Sequence, residues 1–393
     1  MSGSGPLVAP ALERVQRVAF AVGGIGALTL VAGFCFDRER FYQAYLCAYL
    51  FVLGPALGSL AFVLLHNMTG GEWGFAVKRL LEAAMRTLPA MVLFFVPIAL
   101  GIHTLYEWSH AEVVAADPIL SHKAAYLNVP FFLARAALYF VLWNALARVL
   151  LRLAERYDRK LSLKALRRLK SLSGFGLALY VLTMSFASFD WAMSLEPHWF
   201  STIYGLHVIV GQGLSTLCLA ILAAAFLARH EPFSRWLAAR HFHDLGNLTL
   251  AFVMLWAYLS LSQFLIIWSG NLPEEIPWYT KRIGPAWQGL ALVLVALHFA
   301  APFVILLVRS SKRDPRSLAR LAAALLVVRY FDLYWLVMPA FGDGEFAPHW
   351  LDLAAPLSLG SLWLGLVVRN LHGRPLVSLQ DARLLGQLEG QVP

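Results

Sequence analysis

Arg329 and Asp332 stand three residues apart in an otherwise apolar stretch. That separation puts both side chains on one helix face, where they can pair. An ionisable side chain inside hydrocarbon costs on the order of 3 kcal/mol unless partnered, which makes it a functional candidate by default. A packing ion pair accounts for the two residues equally well. Other polar groups recur in similar settings: Tyr204, His207 and Gln212; His298; His103, Tyr106 and Glu107; Arg135 and Asn144; Tyr258, Ser262 and Gln263; and Asp190. Tyr204 shares a helical face with His207, and His103 and Glu107 are four apart. Singly, each is more commonly a hydrogen-bonded packing residue. Together they supply titratable or hydroxylic groups at several depths. Proton conduction needs such a chain, because a proton hops between hydrogen-bonded groups and waters. Arg329, Asp332, Asp190, His207, Tyr204, Tyr258, Gln263, His298, His103, Glu107 and Arg135 are therefore the candidates for a proton path.

Other chemistries find less support. Cys35, Cys47 and Cys218 lie in apolar stretches and form no CxxC or CxxCH, so no c-type haem, iron–sulfur cluster or structural zinc site is expected. His207 and His298 qualify as haem b ligands on depth alone, but no helix carries two histidines spaced to serve two haems. Gly23, Gly24 and Gly26 fall inside the first apolar block, where close helix packing explains them better than a nucleotide loop. No cofactor is expected in the chain itself.

The elements that position these residues must be membrane helices. The chain has 393 residues, 59% hydrophobic and 14% charged, against about 25% charged in a soluble domain. Apolar residues come in blocks of about twenty, the length that crosses ~30 Å of hydrocarbon as a helix. Ten spans are predicted, over about 15–36, 41–65, 76–102, 125–150, 171–191, 199–228, 244–268, 285–309, 317–339 and 350–371. Pro55, Pro89 and Pro97 lie inside spans, where kinks are tolerated.

The net charge of +9 reports topology rather than nucleic-acid binding. Arg148 to Lys170 holds nine Lys/Arg, and Arg309 to Arg320 holds five. Arg229, Arg235 and Arg240 form a third basic loop, and Lys78 and Arg79 a fourth. The alternate loops lean acidic, with Glu107, Glu112 and Asp117, then Asp190 and Glu196, then Asp343, Glu345 and Asp352. Basic loops stay in the cytoplasm, so both termini are expected there. The N-terminus lacks a basic n-region, and no cleaved signal peptide is expected. The basic stretch 152–170 reads either as a helix on the inner leaflet, with Leu161, Leu163, Leu166 and Leu169 toward lipid, or as a solvated connector. Trp73, Trp108, Trp199, Trp268, Trp278 and Trp350 fall near span ends, as an aromatic belt would. A quinone headgroup prefers the same setting, and Asp190, His198 and Trp199 are the candidates for such a site.

An internal echo joins Phe189-Asp190-Trp191 and Pro197-His198-Trp199 to Phe331-Asp332, Trp335 and Pro348-His349-Trp350. It suggests a duplicated four-helix bundle in which span five corresponds to span nine.

Three strings are more specific than topology: Phe189 to Gly205; His243-Asp-Leu-Gly-Asn-Leu248 running on through Trp256 and Trp268 to Asn271-Leu-Pro-Glu-Glu275; and Thr69-Gly-Gly-Glu-Trp73. Together they resemble the ActF-type membrane subunit of alternative complex III, a bacterial quinol:cytochrome c oxidoreductase, within the NrfD/PsrC-like superfamily. The resemblance covers roughly Val15 to Leu371. It implies an all-α polytopic fold of two four-helix bundles with one helix flanking each side: a tail and flanking helix over 1–40, bundles over 41–191 and 192–340, and a last helix and tail over 341–393. It implies a bacterial inner-membrane location. The partners would be a second NrfD-like membrane subunit, an iron–sulfur protein, c-type cytochrome subunits carrying haem c, and membrane lipid. Quinol, menaquinol or ubiquinol, would be oxidised at the sister subunit, leaving this one a proton-translocating role. A quinol-binding role for this chain and a secondary transporter are the alternatives.

Overall fold

A computed structural model of the chain describes residues 8–159, 163–231, 233–342 and 345–372. The long helices are α1 (Val8–Phe36), α2 (Arg38–Thr69), α3 (Glu72–Met85), α4 (Leu88–Leu100), α5 (Val129–Arg159), α6 (Leu163–Trp191), α7 (Tyr204–Leu227), α8 (Ala239–Gly270), α9 (Pro285–Leu307), α10 (Pro315–Val337) and α11 (Leu351–Leu371). No strand occurs among the described residues. Among the described residues nine helices are long and apolar enough to cross a membrane, and ten spans result if the bent pair α3–α4 counts as one. The chain is an all-α, multi-pass membrane protein.

The expected third span, 76–102, is broken. Pro89 follows closely on Thr87 and cannot donate to the carbonyl of Met85, so the helix stops and restarts at a 44° bend. The Thr87 hydroxyl takes up the Ala84 carbonyl at 2.6 Å. Pro55 and Pro97 sit inside continuous helices. In α9, Val295–Ala300 winds as a π-turn. Pro302 lies four residues after His298 and has no N–H for its carbonyl, which removes the ordinary α bond there.

Side-chain contacts define two faces. Asp117 with His198, Arg282 with Glu196, and Arg40 with Asp352 lie together on one, the far face. Arg240 with Glu72 lies on the other, which also receives the first residues of α1 and the last of α11. We call it the terminal face. Spans two to five and six to nine form two bundles that meet along α2 and α7. The two flanking helices do not take opposite sides. α1 and α11 pack antiparallel on each other and together against α2. The reason is on the surface of α1: a Cβ on Gly23 would come within 2.7 Å of Leu362, and one on Gly26 within 2.6 Å of Ser358. Such close backbone approach is how helices associate in lipid. Gly24 faces open space.

Three further expectations change. The stretch 152–170 is not a separate surface helix: 152–159 continues α5 and 163–170 opens α6. Leu161 and Asp343 lie outside the described residues. Of the six tryptophans assigned to a belt, only Trp268 and Trp350 are exposed; Trp73, Trp108, Trp199 and Trp278 pack inside. His103 and Glu107 do not share a helical face, because the helix ends at Leu105 and Tyr106 is extended. Backbone form also explains two of the specific strings. Gly70 and Gly71 take φ of 71° and 106°, reversing the chain between α2 and α3, and Asn271 closes α8 in the left-handed conformation.

Candidate functional site

The second bundle buries a polar cluster. Arg329 and Asp332, on α10, are each 1% exposed and form an ion pair one turn apart. Gly211 of α7 makes room for the guanidinium: a Cβ there would lie 2.1 Å from Arg329 Cζ. From α8, the Trp256 indole N–H donates to Asp332 Oδ2 at 3.1 Å. The Trp256 ring also rests on His207 of α7 and His298 of α9, with centroids 6.1 and 4.1 Å apart. The π-turn brings His298 inward, where it is fully buried. Neither of its ring nitrogens has a hydrogen-bond partner, and His207 Nε2 has none either. Buried polar groups are ordinarily paired, so partnerless ones call for an explanation.

A cavity of about 110 Å³ adjoins this cluster, lined by Tyr204, His207, Trp256, Gln263, Trp278 and Asp332 among others. At about 30 Å³ per water it has room for three or four. It opens between α8 and α9, past Ser260 and the exposed Val295. A second space of about 10 Å³, at the seam of the two bundles, touches Arg329, Tyr204, Gln212 and Ser188. Tyr204 lines both, and Gln212 accepts a hydrogen bond from Tyr180 of α6 at 2.7 Å. Polar groups thus run from the lateral cavity through Asp332 and Arg329 to the seam.

The cavity is roofed on the far face. Trp199 stacks on Trp278 with centroids 4.9 Å apart, and the Arg282 guanidinium lies 3.8 Å above Trp278. Arg282 pairs with Glu196 at 3.1 Å and donates to the carbonyls of Trp278, Trp335 and Leu336. Burial pulls this guanidinium below its ordinary pKa, and Glu196 opposes that pull.

The remaining candidates lie elsewhere. Asp190 is fully buried in the first bundle, held by Arg135 through two bonds of 2.9 Å and by the Tyr139 hydroxyl at 2.8 Å. Both of its oxygens are satisfied, as in a structural ion pair. It lies one residue from the end of α6, whereas Asp332 lies five from the end of α10, so the two echoed acids differ in depth. The three quinone-site candidates differ in setting: Asp190 and Trp199 are buried and His198 is exposed. His198 is exposed and pairs with Asp117 at 2.5 Å, which holds that carboxyl below the usual range. Gln263 is in the cavity wall and accepts from Ser201 at 3.3 Å. Tyr258 points outward, 66% exposed. His103 contacts Ser109 on the far face, and Glu107 is exposed.

Several residues escape sequence reasoning. Trp256 is one aromatic among many, and only its reach to Asp332 sets it apart. Asp352 reads as a loop charge but is buried at the start of α11, bound to Arg40 at 2.6 Å and to the Tyr334 hydroxyl at 3.0 Å. Tyr330 donates to its backbone carbonyl. Pro302, four residues after His298, is the available signal for the π-turn.

No set of three or more His, Cys, Asp or Glu among the described residues has metal-binding geometry. His207 and His298 do not fit haem ligation, since Trp256 takes the space beside both rings that a macrocycle would need. Compared with known proteins, the chain matches no protein-family model and no curated protein.

Proposed function

We propose that this chain is a membrane subunit of a bacterial respiratory quinol:cytochrome c oxidoreductase of the alternative complex III type, and that its second bundle carries a proton path. The observation that supports this most is the Arg329–Asp332 pair, buried beside two imidazoles with partnerless nitrogens and a cavity of water size. A permanently paired structural site has no use for such open hydrogen-bonding capacity; the fully satisfied Arg135–Asp190 pair shows the contrast. Asp332 takes a proton from the cavity, and Tyr204 links it toward the seam. In this reading the terminal face is cytoplasmic, the location is the inner membrane, and the partners are a second NrfD-like subunit, an iron–sulfur protein and c-type cytochromes. Electrons move through haem c and iron–sulfur clusters on those partners. The test is Asp332→Asn in the intact complex. Protons moved per electron should fall while quinol oxidation continues, and an unchanged ratio overturns the assignment.

A second reading has one observation in its favour. The cavity opens sideways between α8 and α9, and its wall combines Trp256, Trp278 and Trp335 with Asp332 and His207. A quinol headgroup entering from lipid meets apolar rings and groups that exchange its protons. A photoreactive quinone analogue that labels Ser260 or Val295 supports this reading. Labelling confined to the sister subunit counts against it.

A further inference from the structure

On the terminal-face half of the molecule, an apolar groove of about 270 Å³ runs between α1, α2, α3, α7 and α11. It lies beside the break in span three. Before the 44° bend α3 packs on α7, α8 and α11, after it α4 packs on α2 and α5, and the groove beside α3 is walled by Leu80, Ala223, Trp363 and Leu371. The bend is held by α11: Trp363, in the groove wall, donates from Nε1 to Thr87 Oγ1 at 2.8 Å, and Asn370 donates to the Ala83 carbonyl at 3.1 Å. The groove's only two hydroxyls, Ser59 and Thr216, are turned inward to the carbonyls of Pro55 and Gln212. The wall is almost wholly apolar, and even an enclosed apolar cavity of ~150 Å³ stays dry and takes up an apolar guest. From Thr216 to Leu227 its depth along α7 is about 16 Å, at ~1.5 Å per residue. Leu364, at 38% exposure, opens one side to the bilayer.

The mouth is basic. Next to the lining residues stand Arg14 on α1, Lys78 on α3, Arg229 after α7 and Arg369 on α11. The acids nearby are Glu13, Glu231 and Glu82, and Glu82 is engaged by Arg79 at 2.6 Å. Juxtamembrane Lys and Arg attract anionic lipid headgroups. We propose that the groove binds one acyl chain of an anionic phospholipid, drawn from the leaflet on the terminal face, with its headgroup at this basic rim. The lipid then fills the groove beside the bend of span three and packs against α3, α7 and α11.

The test is native mass spectrometry of the full chain, purified from membranes containing phosphatidylglycerol and phosphatidylethanolamine and washed with mild detergent. Phosphatidylglycerol should stay on the wild type and be lost from Ala223→Phe, which fills the groove. Arg229→Gln with Arg369→Gln, both exposed positions, should lose the preference for phosphatidylglycerol while leaving the fold alone. A wild type that retains no lipid, or retains both lipids equally, overturns the proposal, as does a retained quinone. If Ala223→Phe does not fold, phosphatidylglycerol with brominated chains replaces it. That lipid should quench a fluorescence component absent from Trp363→Phe, and equal quenching in the two proteins overturns the proposal.

Discussion

The indole of Trp256 donates to Asp332 at 3.1 Å and carries that bond across from α8 to α10. Trp256→Phe keeps an aromatic ring beside the histidines and removes the N–H donor together with part of the indole's volume. A hydrogen bond to a charged group contributes about 1.5–3 kcal/mol, so thermal unfolding in detergent should show a loss of that order. The proton-to-electron ratio of the complex should fall with it, because the carboxylate loses the group that fixes its direction.

Gly211 is the counterpart of that bond on the other side of the pair. Gly211→Ala puts a methyl where the Arg329 guanidinium lies. Overpacking typically costs about 1–3 kcal/mol. The variant should behave like Asp332→Asn in proton transfer, measured as acidification per electron in reconstituted vesicles, with no residue of the cluster itself changed.

Asp190 should respond differently. Removing one partner of a buried pair leaves an uncompensated charge and costs about 3–5 kcal/mol, whereas replacing both with apolar residues of like volume is often neutral. Arg135→Met alone should lower the unfolding temperature sharply, and Arg135→Met with Asp190→Leu should recover most of it. Proton movement in the double variant should match the wild type, which would separate this acid from Asp332.

The far face should loosen in acid. Asp117 is held below its ordinary value of 3.8, chiefly by its hydrogen bond to His198. A carboxyl with a depressed folded-state pKa stabilises above its unfolded value, and that contribution disappears as pH falls through the folded one. Hydrogen exchange of the segment from Ala111 to Lys123, taken relative to the intrinsic amide rate at each pH, should therefore quicken below about pH 4 in the wild type. In Asp117→Asn it should be fast already at neutral pH and change little on acidification.

The ten-span plan is legible in the sequence because apolar blocks of twenty and alternating loop charges are local signals. What happens inside a span is less so. Pro55, Pro89, Pro97 and Pro302 look alike in the chain, yet two are absorbed, one breaks a helix and one induces a π-turn. The difference lies in neighbouring helices, such as the one whose Trp363 indole donates to the Thr87 hydroxyl oxygen. The Arg329–Asp332 pair is legible from its spacing. Its joining to His207, His298 and Trp256 is not, since those residues come from three other helices and spacing fixes no register between helices. Asp190 and Arg135 appear as separate candidates for the same reason, although they form one closed ion pair. Tyr258 counts as a polar residue in a span, but its direction depends on a helix rotation that an all-round apolar sequence does not specify.

The π-turn in α9 ties the facing of His298 to the length of the chain. One additional residue accommodated in a helix leaves such a turn, and each residue turns an α-helix by about 100°. A shortened chain lacking one residue between Val295 and Ala300 would close the turn. Its two halves of α9 would rotate against each other by that angle, and either His298 or the helix beyond it would lose its present facing. The buried imidazole is therefore a matter of chain length as much as of residue identity, and a single-codon deletion sets its facing against that of the helix beyond it.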